Sequence, residues 1–271
     1  MPTQTFIPTQ KVLDSNITAL PFNEQIQIIL EWANTRESRT ICVANVHMLM
    51  EAHWNSQFAS ILENADLVTP DGMPLVWMMR LLGVHNQDRV AGLDIFLALC
   101  QKAQSINVSV ALVGSTPEIL KRMRRRLEHE FPHLKVAAIA PLPFRPLTSE
   151  EDEALIQKIN ETGAGLVFVS LGCPKQESWM AQHKDKIKAV MLGVGGVFPV
   201  YAGIQKNAPR EVKQFGLEWL YRLVQEPRRL WGRYRKTIPP FIWLAIKQLL
   251  VQSPNLFNPR MVGNRSLVSR N

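Results

Sequence analysis

Short apolar, β-branched runs alternate with stretches of helical period along most of this chain. The clearest strand run is VSVALV at 108–113; others lie at 40–44, 66–69, 135–140, 165–171 and 189–192. Between them the spacing of apolar residues predicts helices over 23–36, 47–64, 74–82, 93–105, 117–131 and 149–162, with another opening at 176–177. Thr116 suits an N-cap and Pro117 the first helical position. Strands joined through helices of this length cannot pair as hairpins. They give parallel βαβ units, hence an α/β sheet covered by helices on both faces.

That architecture says where to look for chemistry, because open α/β sheets bind ligands beyond the carboxyl ends of their strands. Asn45, TPDG at 69–72, GSTP at 114–117, GCPKQE at 172–177 and GVGG at 193–196 all follow expected strands. At about residue 217 the character changes. LEWLYRLVQEP at 217–227 reads as a helix stopped by proline, and Arg228, Arg229, Arg233, Arg235 and Lys236 follow, interleaved with Trp231 and Tyr234. An apolar stretch at 238–251 comes next. The expected division is therefore an α/β core over 1–216 and a basic, amphipathic appendage over 217–271. A basic segment rich in Trp followed by an apolar helix suits an anionic membrane surface; the alternative is a helix packed on the core with a solvated basic face.

Composition narrows the field. With 271 residues and 46% hydrophobic content the chain can bury a large core, and a net charge of +8 calls for acidic partners. Cys42, Cys100 and Cys173 are too sparse for a disulfide framework or a metal site and fit a reducing compartment. The N-terminus MPTQTFIPTQ lacks a charged segment followed by an apolar one, so no signal peptide is expected. No apolar run reaches the ~20 residues of a membrane span; the 238–251 stretch is interrupted by Lys247 and Gln248.

Each candidate residue reads two ways. Asp71 could accept a proton from an acceptor hydroxyl, or cap the helix beginning near Pro74. Asn45 could orient a sugar hydroxyl, or cap the next helix. Gln176 could bond sugar or phosphate, Glu177 could complement a helix dipole, and Lys175 could meet a phosphate or stay solvated. The glycines of GVGG would let a ligand approach backbone N–H groups, but the run is not a full G-x-G-x-x-G and comes late. No Walker loop and no Asp-x-Asp pair are present. A leaving diphosphate would then have to be met by helix N-termini and by arginines beyond Leu220. Rival readings are an NAD(P)-dependent oxidoreductase, from the glycine loop, and a basic nucleic-acid-binding module, for which no recognised motif stands in the chain.

TPDGMP (69–74), RVAGLD (89–94), GCPKQE (172–177), GVGGVF (193–198) and LEWLYRLVQEPRR (217–229) together, in this order, resemble the WecG/TagA/CpsF glycosyltransferase family. The resemblance implies a Rossmann-like parallel sheet flanked by helices, with a C-terminal helical appendage. It implies inverting transfer without metal or cofactor, from a UDP-sugar carrying N-acetylmannosamine or its uronic acid. The acceptor would be N-acetylglucosamine on undecaprenyl diphosphate, and the products would feed teichoic acid, common antigen or exopolysaccharide. The catalytic Asp falls on Asp71. The family's active-site Asn and Gln fall on Asn45 and Gln176, and its tail arginines match Arg222 and Arg229; Gly114 and Gly195, in loops that follow expected strands, are further substrate-binding candidates. Expected partners are the nucleotide sugar, the lipid-linked acceptor and the inner face of the plasma membrane, held peripherally from the cytoplasm; no nucleic acid is expected, and a homo-oligomer is left open. The chain departs from the family pattern at Val43, where Thr is common and would add a hydroxyl, at Asn207, where Arg is often found, and at Gly232, where a basic residue is common.

Overall fold

The computed structural model describes residues 7–143 and 145–252. A hairpin, β1 (Thr9–Val12) and β2 (Ser15–Thr18), leads into α1 (Phe22–Asn34), β3 (Arg39–Ala44), α2 (Val46–Trp54), α3 (Ser56–Glu63) and β4 (Leu67–Pro70). There follow α4 (Met73–Leu81), α5 (Gly92–Ser105), β5 (Val110–Gly114), α6 (Pro117–Glu130), β6 (Val136–Ala140), α7 (Ser149–Glu161) and β7 (Leu166–Ser170). The chain ends with α8 (Lys175–His183), β8 (Val190–Gly193), α9 (Val197–Tyr201), α10 (Arg210–Gln214), α11 (Glu218–Gln225) and α12 (Pro227–Gln252).

Six strands form one sheet in the order β4-β3-β8-β7-β5-β6, and every pairing is parallel. The side-chain period of two divides each strand between two cores. Ile41, Val43, Leu166, Phe168, Val190 and Leu192 face one cluster with α1, α5, α6 and α9. Cys42, Ala44, Val167, Val169 and Met191 face the other, with α2, α3, α4, α7, α8 and the hairpin. Phe96 of α5 meets Phe168 edge-on at 4.8 Å, a contact worth about 1 kcal/mol beyond burial. The α/β fold with a parallel sheet expected from the strand–helix alternation is the fold observed.

Three local features have physical causes. The single helix expected over 47–64 is two, because Asn55 leaves the helical region at φ −131° and its side chain accepts from the Phe58 N–H at 3.1 Å, capping α3. The β1–β2 hairpin was not anticipated; its strands TQKV and SNIT are four residues each and carry little apolar signal. At the other end, α12 runs unbroken through Pro239 and Pro240. The carbonyls those prolines leave without a donor, one turn back at Arg235 and Lys236, lie on the exposed side of the helix, where water can reach them.

α12 packs on the core. Phe241, Ala245 and Leu249 are buried in the cluster that holds α2, α3, α4, α7 and α8, beside α2. Gln248 closes the contact with the hairpin: its Oε1 accepts from the Leu13 N–H at 2.8 Å and its Nε2 donates to the Lys11 carbonyl at 2.9 Å. The expected appendage also takes in residues 253–271, which lie outside the described residues. No helix among the described residues is long and apolar enough to cross a membrane.

Candidate active site

The carboxyl ends of β3 and β4 place two of the expected residues side by side. Ala44 lies opposite Pro70, so Asn45 and Asp71 leave the sheet as neighbours, and the Asp71 N–H donates to the Ala44 carbonyl at 2.8 Å. The next helix, α4, is capped at Gly72 without a side-chain bond, so the Asp71 carboxyl is not its cap. Asn45 does cap α2: its Oδ1 accepts from the Met48 N–H at 3.2 Å, which leaves its amide N–H groups to meet a ligand.

Arg89, in the loop before α5, holds Asp71 in place. Its Nε donates to the Asp71 carbonyl at 2.6 Å, and its Nη2 lies 3.5 Å from Asp71 Oδ1. The same Nη2 donates to Glu218 Oε2 at 2.6 Å, and Glu218 Oε1 accepts from Arg222 at 2.8 and 3.1 Å. Carboxylate and guanidinium thus alternate from the sheet edge onto the tail helix α11. Burial raises the Asp71 carboxyl above the usual carboxylate range; Arg89 opposes this and Glu218 adds to it. Burial would raise Glu218 as well, but Arg222, Arg89 and Lys213 outweigh it and hold Glu218 low. The result is a carboxylate of raised basicity beside a network of guanidinium groups. Such a site can take a proton at one end and meet developing negative charge at the other.

The glycine loop after β8 forms the next wall. Arg222 reaches it, since a Cβ on Gly196 would stand 3.4 Å from Arg222 Nη1. Gly195 has φ +45°, its N–H donates to the Val169 carbonyl at 3.2 Å, and its carbonyl accepts from Ser170 Oγ at 2.8 Å. Gln176 lies behind this loop, 4% exposed, within 3.1 Å of where a Gly195 Cβ would stand. Its Oε1 accepts from the Gly172 N–H at 3.2 Å and its Nε2 donates to Glu177 at 2.7 Å, so it braces the 172–176 turn against the glycine loop. Glu177 is fully buried, and burial raises its carboxyl.

Gly114 stands apart from Asp71. Three strands separate β5 from β4, which at about 4.8 Å per strand puts Gly114 roughly 19 Å from Asp71 along the edge. Its φ is +91°, and a Cβ there would come within 2.5 Å of the Ser170 carbonyl, so the close approach of β7 alone requires glycine. Arg229 pairs with Glu226. Near these arginines the Tyr234 phenol is raised by burial while Arg222, Arg233 and Arg229 draw it down. Val43 faces the cluster shared with α1, α5, α6 and α9, 3.5 Å from where a Gly92 Cβ would stand, so that position is walled by α5. Among the described residues no group of three or more His, Cys, Asp or Glu side chains is placed to hold a metal ion.

Arg89 and Glu218 were not among the residues singled out from the sequence. Both stand inside motifs quoted above, but 129 residues separate them, and nothing local signals that they meet.

Comparison with known proteins gives this edge a context. The family model described as "Glycosyl transferase WecG/TagA/CpsF family" matches residues 10–255. A curated relative from Bacillus spizizenii, an N-acetylglucosaminyldiphosphoundecaprenol N-acetyl-beta-D-mannosaminyltransferase, is 31% identical over 208 residues, covering 76% of this chain and 78% of the relative. Asp71, its guanidinium neighbours and the glycine loop all fall inside the matched span, and the chain is a glycosyltransferase that belongs to the WecG/TagA/CpsF family.

Proposed function

We propose that this glycosyltransferase moves N-acetylmannosamine, or its uronic acid, from a UDP donor to N-acetylglucosamine on a polyprenyl diphosphate, for a cell-surface polymer. The observation that carries the reading is the Asp71 carboxylate, raised in basicity and set next to Arg89, which Glu218 joins to Arg222. The acceptor named for the Bacillus relative supports the lipid-linked substrate.

In this reading Asp71 takes the proton from the acceptor hydroxyl. The oxygen attacks the anomeric carbon from the face opposite the leaving group, and UDP departs with inversion. Arg222 and Arg229 meet the charge that grows on the diphosphate, in a site where a preorganised cation is worth far more than in water. The glycine loop around Gly195 lets the same group come close to the backbone beside Arg222, the Asn45 amide orients the sugar, and Gln176 keeps the loop in place. Gly114, at the far end of the edge, suits the nucleoside end of an extended donor. No metal or cofactor is required by this scheme. The exposed apolar and basic face of α12 would hold the enzyme peripherally on the inner leaflet, next to its acceptor.

Calorimetric titration with UDP in the absence of added metal, with NAD alongside, tests the donor half. UDP binding without NAD binding is expected; NAD binding without UDP binding would contradict the reading.

A further inference from the structure

A single carboxylate fastens the tail helix to the catalytic edge. Glu218 stands in the first turn of α11. It accepts from Arg89 through Oε2 at 2.6 Å and from Arg222 through Oε1 at 2.8 and 3.1 Å. The Arg89 nitrogen that serves it, Nη2, is also the one 3.5 Å from Asp71 Oδ1. One guanidinium edge is therefore shared by two carboxylates, and the shorter contact goes to Glu218. The two partners of that contact are equally shielded, at 18% exposure each.

We infer that Glu218 is a positioning residue for the transfer reaction: it draws the shared Arg89 guanidinium off the Asp71 carboxylate and aims the free edge of Arg222 at the glycine loop. The inference rests on the reading of Asp71 as the base. A carboxylate fully paired with guanidinium is a poor base, because the pair favours the ionised form. With Nη2 committed to Glu218, Arg89 anchors the Asp71 main chain and only grazes its carboxyl. Arg222, with Nε and Nη2 both bound to Glu218, has Nη1 left, and that nitrogen lies against Gly196. The charged and titratable groups around the pair are Arg89 from the loop before α5, Asp94 in the first turn of α5, Arg222 in the next turn of α11, Lys213 from α10 and Tyr234 from α12. Glu218 is the carboxylate among them that touches both the core arginine and the tail arginine.

The test is the pH profile of kcat/KM for Glu218→Gln, measured with UDP-N-acetylmannosamine and a synthetic lipid diphosphate bearing N-acetylglucosamine. The amide keeps the shape and an acceptor oxygen but loses the charge, so Arg89 turns to Asp71. The acid limb should move down by about 0.5–1 pH unit and kcat on the plateau should fall by roughly 3- to 10-fold as the base weakens. Glu218→Asp keeps the charge and should hold the limb within about 0.3 unit of the parent while raising the donor KM. A limb that stays put in the Gln variant, or moves equally in both variants, overturns the inference, since a merely structural role would lower activity without that pattern. Asp71→Asn separates the two levels. If it stays active, the base reading falls and this inference with it; if it is dead while the Gln profile is unmoved, only the role of Glu218 falls.

Discussion

Asp71 has to be ionised before it can accept a proton, and its surroundings decide the pH at which that holds. Burial raises its carboxyl and Arg89 only partly offsets the shift. Activity should therefore fall as pH drops through a value above that of an ordinary aspartate, and a rate profile flat down to pH 4 would contradict this. Asp71→Asn should lower kcat by about 10²- to 10⁴-fold and leave UDP binding within about twofold of the parent, as titration would show. His47, beside Asn45, gives a stability prediction. Burial and nearby Arg233 lower its imidazole to about 4. The unfolded chain then binds more protons between pH 6.5 and 4, so stability declines as pH falls through that window. By pH 5 the cost is about 2 kcal/mol, and His47→Gln should lose correspondingly less stability between pH 7 and 5 in urea titrations. At this scale the sequence exposed Asp71 and Asn45, because a turn after a strand is a local signal. Arg89 and Glu218 remained hidden because an ion pair across 129 residues leaves no local pattern.

The elements were legible where the period was strong. Every strand of the main sheet and most helices follow from alternating runs and apolar spacing, and the Thr116 cap holds with its Oγ1 accepting from the Ile119 N–H at 3.4 Å. What the spacing could not carry was competition. Asn55 could continue a helix or cap one, and capping won. Pro239 and Pro240 do not break α12, because the face that loses its bonds is the wet one. At the junction of β5 and β7, Gly114→Ala would force a Cβ to within 2.5 Å of the Ser170 carbonyl at a positive φ. A loss of about 2–3 kcal/mol is expected, from the strained φ and the shift the clash demands. Denaturant unfolding measures it, and a loss under 0.5 kcal/mol would contradict the close approach.

Across the whole molecule, the two cores stabilise the sheet while α11 and α12 turn outward a face that stays exposed among the described residues. Trp231 is 63% exposed and Trp243 69%, with Ile242, Ile246 and Leu250 also exposed. Arg228, Arg235 and Lys236 are exposed on the same helix. Indole rings and basic groups on one helix suit the interface of an anionic bilayer, at about 1 kcal/mol per basic residue near the surface. Arg235→Glu with Lys236→Glu should cut co-sedimentation with phosphatidylglycerol vesicles by more than tenfold and leave binding of UDP unchanged. Equal sedimentation of parent and variant would remove the membrane role from this face. The central claim is that Asp71 deprotonates an acceptor hydroxyl during sugar transfer from UDP. Its most direct test is UDP release from UDP-N-acetylmannosamine with lipid-diphosphate N-acetylglucosamine, comparing the parent with Asp71→Asn. Release that requires the acceptor and vanishes in the variant is the expected result; release undiminished in the variant would contradict the account.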